Sequence, residues 1–199
     1  MSTTTTTTGT GTVHHASATT TALCGAARKA LAVLRIAFGL MFLWAFVDKM
    51  FALGFSTGTS VDPETGAEVV DRFGDAAWMN GASPTEGFLG FGADGPFKDF
   101  YNGIAGAAWA DWLFMTGLLG IGLALTLGIG MRLATISGAV LYVLMWTVAL
   151  PPANNPVLDD HILGAITMIV LLTTAAGTTW GLGRTWNDTH LVSTRRWLR

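Results

Sequence analysis

Three long apolar runs without a single charged side chain constrain this chain more than any other feature of its sequence. They cover residues 112–131, 133–150 and 162–183, and charged residues or prolines stand at their ends. A helix crosses the roughly 30 Å of bilayer hydrocarbon with about 20 predominantly apolar residues. The sequence therefore predicts a membrane-spanning helix in each run.

A fourth apolar region lies nearer the N-terminus, but it carries charge. Residues 30–53 include Arg35, Asp48 and Lys49. The uncharged stretch between Arg35 and Asp48 covers about 18 Å as a helix, which is less than the thickness of the hydrocarbon. We interpret this region as a further span, whose charges lie at or inside the membrane boundaries.

The composition agrees with a membrane protein and excludes two classes of function. Of the 199 residues 51% are hydrophobic and 12% are charged, about half the charged share of a soluble domain. A net charge of −2 does not provide the basic surface that nucleic acid requires, so nucleic acid is excluded as a partner. The single cysteine, Cys24, excludes an internal disulfide and any cysteine-held zinc or iron–sulfur cluster.

Charge is distributed unequally between the two sides of the predicted spans. Basic residues such as Arg28, Arg132 and Arg184 flank one set of span ends, whereas acidic residues dominate residues 54–108. The positive-inside rule then predicts a multi-pass protein of the cell membrane, a bacterial plasma membrane, with both termini cytoplasmic. The predicted fold is an all-α integral membrane four-helix bundle with a structured extracytoplasmic loop between helices one and two.

This prediction divides the chain into three parts. Residues 1–27 are expected to form a disordered, Thr-rich cytoplasmic tail, because they lack periodic apolar positions. Residues 28–183 form the transmembrane domain, and residues 184–199 form a basic cytoplasmic tail. The predicted helices of the transmembrane domain cover about residues 30–53, 110–131, 132–150 and 159–181, and the outer loop covers residues 54–108.

One face of the first predicted helix combines aromatic rings with positive charge. Arg35, Phe38, Phe42 and Lys49 share this face on a helical wheel, while Asp48 points elsewhere. The functional interpretation is a cleft for a flat apolar ring, such as a quinone head group, with cations that donate to its carbonyl oxygens. The alternative is a Phe-rich packing face, from which both cations snorkel to the nearest membrane surface.

Adjacent ionisable residues open the last predicted span. Asp159, Asp160 and His161 follow one another at its outer end. The carboxylates suit a helix N-terminus, where they cap free amides and interact favourably with the helix dipole. A histidine beside them is also suited to relay protons. No metal site is predicted, because the chain lacks an HxxxH or ExxH spacing that would fix ligand geometry on one helix.

Several of these segments resemble the DoxX/DoxD family of membrane proteins, over roughly residues 28–180. The resemblance is carried by RIAFGLMFLWAFVDKMF, WMNGASPTEGFLGFGADGPF, WADWLFMTGLLGIGLALTLGIGMR and NNPVLDDHIL. It implies a four-helix membrane protein similar to the large subunit of thiosulfate:quinone oxidoreductase, which works with a second subunit and a quinone. Separately, the sequence indicates no haem, because it lacks a CxxCH site and paired histidines within the predicted spans.

Two functions follow as hypotheses. In the first, the chain is a quinone-linked redox subunit, with a second redox subunit or an extracytoplasmic protein as partner. Its candidate residues are His161, Asp160 and Asp159 for catalysis and Arg35, Phe38, Phe42, Asp48 and Lys49 for binding the quinone. In the second, the chain is a non-enzymatic scaffold in the lipid bilayer that recruits partners to a redox or stress-response complex.

Overall fold

The structure is a computed structural model that describes residues 24–153 and 155–195. It is mostly helical, with helices α1 Gly25–Phe51, α2 Lys98–Ile104, α3 Ala108–Leu127, α4 Met131–Val148, α5 Asp160–Thr173, α6 Gly183–Asn187 and α7 His190–Thr194. Helices α1, α3 and α4 have 27, 20 and 18 residues and are apolar enough to cross a membrane. These helices indicate a membrane protein, as the apolar runs predicted.

Helix α1 is longer at its start than predicted. It begins at Gly25 rather than near residue 30, and it ends at Phe51 because Ala52 adopts a left-handed conformation with φ of 50°. The predicted disordered tail therefore overlaps the helix at residues 25–27. The rest of that predicted tail, residues 1–23, lies outside the described residues, as do Asn154 and residues 196–199.

Helix α5 is shorter than the predicted span over 159–181. It has 14 residues and ends at Thr173, so it covers about 21 Å where a full crossing needs about 30 Å. Beyond it, Ala175 and Trp180 both have positive φ, and a short 3₁₀ turn covers Ala176–Thr178. The apolar run therefore continues to residue 183 as irregular backbone rather than as helix.

The long helices pack in chain order around a common core. Helix α1 packs against α3, α3 against α4, and α4 against α5. The backbones of α1 and α3 approach closely at Gly39, where an added Cβ would lie 2.6 Å from the amide nitrogen of Thr126. Buried side chains from all four helices and the turn after α5 form the core: Phe42, Met115, Leu118, Ile121, Leu125, Ala134, Met168, Leu171 and Ala176.

Residues 52–107, which we call the connecting segment, carry structure of their own between α1 and α3. A two-stranded antiparallel sheet pairs β1 Thr59–Val61 with β2 Glu68–Val70, in a register that sets Thr59 opposite Val70. The all-α prediction omitted this hairpin. Short helical turns follow at Trp78–Asn80, Gly87–Phe91 and Gly95–Phe97, ahead of α2.

The connecting segment contacts the end of α4 through a second, smaller apolar cluster. Ala93 and Tyr101 are buried there together with Val148, and the Tyr101 hydroxyl lies 2.5 Å from the Thr147 hydroxyl. The amide of Asp94 also donates to the Val148 carbonyl at 3.3 Å. Because α5 begins shortly after α4 ends, this contact brings the connecting segment to the end of the helices where α5 starts.

Candidate functional site

Arg35 is fully buried in α1. Its guanidinium binds main-chain carbonyls at the helix ends that lie away from the connecting segment. Nη1 donates to the carbonyls of Leu125 and Thr126, the latter at 3.1 Å, at the end of α3. Nη2 donates to Thr179 and Trp180 at 3.3 and 3.0 Å, in the irregular backbone after α5. The side chain has 0% exposure, so it does not snorkel to the surface. It instead joins two chain segments whose carbonyls have no helical partner.

Asp48 and Lys49 bind the start of the connecting segment. The two oxygens of the buried Asp48 carboxylate accept from the Phe55 amide at 3.1 Å and from the Ser56 amide at 3.0 Å. The Ser56 hydroxyl donates to the same carboxylate at 2.7 Å and accepts from Lys49 Nζ at 2.9 Å. Asp48, predicted to point away from the charged face, is therefore the residue that fixes the chain after α1.

Phe38 and Phe42 pack against a tyrosine of α4. Their ring centroids lie 6.2 and 5.6 Å from that of Tyr142, both in edge-on geometry. The Tyr142 ring also lies against α5, because a Cβ added at Gly164 would be 2.7 Å from its ring carbons. The aromatic stripe of α1 thus meets Tyr142 between α1, α4 and α5.

The structure does not bring the five residues predicted to bind a quinone, Arg35, Phe38, Phe42, Asp48 and Lys49, to one place. Arg35 and Lys49 are about four helical turns apart, or about 21 Å along α1. The terminal nitrogens of Arg35 are bound to carbonyls, and Phe42 retains 6% exposure. A quinone cleft on this face of α1 therefore stays a prediction.

At the start of α5, the structure pairs His161 with Asp159 rather than with Asp160. His161 Nδ1 lies 2.7 Å from Asp159 Oδ2, and the two side chains keep 23% and 18% of their exposure. Asp159 Oδ1 also accepts from the amides of His161 and Ile162 at 3.0 and 3.1 Å. Asp159 is therefore both the N-cap of α5 and the partner of the imidazole, whereas Asp160 is exposed.

The environment of Asp159 favours its ionised form. Partial burial raises the pKa of this carboxyl, but the hydrogen bonds from the His161 side chain and from the two helix amides outweigh burial, so the pKa is held below its usual value. If Nδ1–H of His161 donates to Asp159, Nε2 carries the lone pair and is the nitrogen able to accept a proton. The Asp159–His161 dyad therefore has the arrangement of an oriented general base.

A further buried carboxylate, Asp111, was not predicted as a site residue. It lies in the first turn of α3 with 7% exposure. Its Oδ1 accepts from the Ser83 hydroxyl at 2.7 Å, the Thr85 hydroxyl at 2.6 Å and the Thr85 amide at 3.2 Å. The sequence signal for this contact is the pair of hydroxyl residues Ser83 and Thr85, although nothing in the sequence links them to Asp111.

Among the residues that the structure describes, no three His, Cys, Asp or Glu side chains form a group that could hold a metal ion. Comparisons with family models, with curated proteins and with solved structures found no match to this chain. The resemblance to the DoxX/DoxD family therefore stays a prediction.

Proposed function

We propose that this chain is a membrane scaffold whose connecting segment docks an extracytoplasmic protein. The proposal includes four crossings by α1, α3, α4 and the α5 region, with both flanks of the membrane domain in the cytoplasm. The charge distribution of the chain supports this orientation, since Arg28, Arg132 and Arg184 lie at the helix ends opposite to the connecting segment.

The observation that carries the proposal is an anchored segment with exposed aromatic rings. Asp48 holds the start of the segment and Asp111 holds its middle, each through three hydrogen bonds. Large side chains nevertheless remain exposed between and beyond these anchors: Phe55, Phe73, Phe91, Phe97 and Phe100. Burying one such ring contributes roughly 1.5–3 kcal/mol, so a rigid display of several rings favours a protein partner with an apolar surface.

A photo-crosslinking amino acid at the most exposed ring tests this function in intact cells. Phe91 is 87% exposed, and placing p-benzoylphenylalanine there is expected to yield a discrete protein adduct. Phe100→Ser, at a second ring with 62% exposure, should reduce the yield of that adduct severalfold.

A matched control lies at the opposite end of the helices. Leu182, with 54% exposure, is replaced by Ser, and this variant should leave the adduct at position 91 unchanged. Adducts at position 91 with lipid alone, or an equal loss in Phe100→Ser and Leu182→Ser, would contradict a docking function for the connecting segment.

A second candidate is the quinone-linked redox subunit that the DoxX/DoxD resemblance implies. The Asp159–His161 dyad favours it, because an oriented imidazole near a membrane boundary is suited to handle protons. The predicted quinone-contacting residues do not support it, since they are not brought to one place. This candidate consequently depends on His161, with a second subunit that supplies the electron donor.

The rate of quinone reduction by thiosulfate, measured in membranes that contain the chain and its partner subunit, tests the second candidate. If thiosulfate reduces quinone there through this chain, His161→Ala should lower the rate about a hundredfold or more, the typical contribution of general acid–base catalysis. Asp160→Asn is the matched control, because Asp160 is exposed and is not the partner of His161. A rate that is unchanged by His161→Ala removes the redox proposal and leaves the scaffold.

A further inference from the structure

A cavity lies at the end of the helices opposite to the connecting segment. Its volume is about 200 Å³, and it lies between the end of α3, the start of α4, the turn after α5, and α6. The residues that matter for its chemistry are Gly128, Met131, Arg132, Leu172, Gly177 and Trp186. None of the described side chains that line it is a carboxylate.

The cavity owes its shape to two glycines in contact. A Cβ at Gly177 would lie 2.7 Å from the Gly128 carbonyl oxygen and 2.7 Å from Met131 Cγ. Gly128 itself ends α3 in a left-handed conformation with φ of 75°. The turn after α5 can therefore lie directly against the α3–α4 connection. The recess lies beside this contact, and both glycines line it.

Positive charge lies on two sides of this recess. Arg132, an exposed residue in the first turn of α4, lines it. The Arg35 guanidinium lies directly behind its wall, because a Cβ at Gly128 would be 2.8 Å from Arg35 Nη1. Arg35 receives its hydrogen-bond acceptors from carbonyls and none from a carboxylate, so its charge is not cancelled by a counter-ion among the described residues.

The recess also has apolar side chains beside the polar Thr178 and Asn187, and exposed apolar residues of α4 lie next to it in the chain. Leu172, Met131 and Trp186 line the recess, and Leu133 and Ile136 of α4 are 54% and 52% exposed beside it along the helix. An acyl chain can lie along such a surface while a charged group enters the recess. A free phosphate ion would contact only the arginine side of the recess and leave the apolar surface uncovered.

We propose that this recess binds the phosphate headgroup of an anionic phospholipid. Arg132 contacts the phosphate, the buried Arg35 adds to the positive potential, and the acyl chains lie along the exposed side of α4. Basic recesses between membrane helices on the positively charged side of a protein are suited to such headgroups. The site is separate from the connecting segment and does not depend on the docking function.

Thermal unfolding of the purified chain in a neutral detergent, with short-chain lipids as probes, tests this site. Dihexanoyl phosphatidylglycerol is expected to raise the unfolding temperature in a saturable way. Dihexanoyl phosphatidylcholine and inorganic phosphate at equal concentration should not. An equal response to phosphatidylcholine, or saturation by phosphate alone, would overturn the proposal.

Two cation variants separate a specific site from a generally basic surface. Arg132→Gln should raise the apparent Kd for phosphatidylglycerol about fivefold, the factor for one basic residue at an anionic lipid. Arg184→Gln changes an exposed basic residue of α6 that does not line the recess, and it should change the Kd less than twofold. Equal effects of the two variants would overturn the proposal.

A third variant keeps all charges and fills the space. Thr178 lines the recess, and Thr178→Leu should weaken phosphatidylglycerol binding by a similar factor while Arg132 stays in place. It supplies the result if Arg132→Gln does not fold. Unchanged binding in Thr178→Leu would show that the lipid binds elsewhere.

Discussion

Carboxylates buried at the ends of membrane helices need donors, and in this chain the extramembrane backbone provides them. Asp48 and Asp111 are both almost fully buried, at 1% and 7% exposure, and each accepts three hydrogen bonds from the connecting segment. An unpaired buried donor costs about 1–3 kcal/mol. The structural role of these two residues is therefore to anchor the connecting segment to the ends of α1 and α3.

The Asp111 anchor leads to a prediction about stability. Asp111→Ala leaves two hydroxyls and the Thr85 amide without their acceptor, and Thr85 is buried. We expect a loss of about 2–4 kcal/mol in the free energy of unfolding. Denaturant titration in detergent measures it. Asp75→Ala, an exposed acidic residue of the same segment, should change stability by less than about 0.5 kcal/mol, and equal effects would contradict the anchor.

The Asp159 cap leads to a prediction about pH. Because its pKa is lowered in the folded chain, its charge stabilises the fold above the usual aspartate pKa of about 4, and this contribution is lost as the pH falls through the folded pKa. Asn is also a good N-cap, so wild type and Asp159→Asn differ mainly in charge. The wild type should be more stable at pH 6, and the difference should decrease as the pH falls below the usual aspartate pKa of about 4. A difference that does not change over this pH range would show that the charge does not matter.

At the scale of elements, Arg35 fixes the irregular backbone that follows the short helix α5. The helix covers about 21 Å, and the backbone that follows it turns irregularly toward the end of α3. Carbonyls on both of these segments meet at one guanidinium. Loss of partners from a buried charge is costly, so the hydrogen bonds from Nη1 and Nη2 hold the turn after α5 in one arrangement.

Exchange of the guanidinium for an ammonium tests this element. Arg35→Lys keeps the charge, but three donors on one nitrogen cannot reach both carbonyl pairs. We expect a loss of about 3 kcal/mol in stability and faster proteolysis near Thr179 and Trp180. Arg184→Lys, at an exposed position, is the control. Retention of full protection near Trp180 in Arg35→Lys would mean that the turn is held by other contacts.

At the scale of the whole molecule, the sequence predicted what depends on local composition. The uncharged runs located α3 and α4, because charges inside a bilayer are excluded by their desolvation cost. The end of α5 was not predictable, since the chain beyond it packs through Gly177 against Gly128, which is distant in sequence. The partners of Arg35 are main-chain carbonyls, which leave no side-chain pattern. Asp111 and its partners are likewise far apart in sequence, so the carboxylate resembled an ordinary boundary charge.

The proposed orientation leads to a prediction that the single cysteine makes simple to test. Cys24 is exposed just before α1, on the side that the positive charges assign to the cytoplasm. A membrane-impermeant maleimide should label it only after the cells are permeabilised. In a Cys24→Ser background, Ser60→Cys places a thiol at an exposed position of β1 in the connecting segment, and it should be labelled in intact cells. Because α1 lies between the two positions, a single crossing separates them, and labelling of both in intact cells would contradict the orientation and with it an extracytoplasmic docking surface.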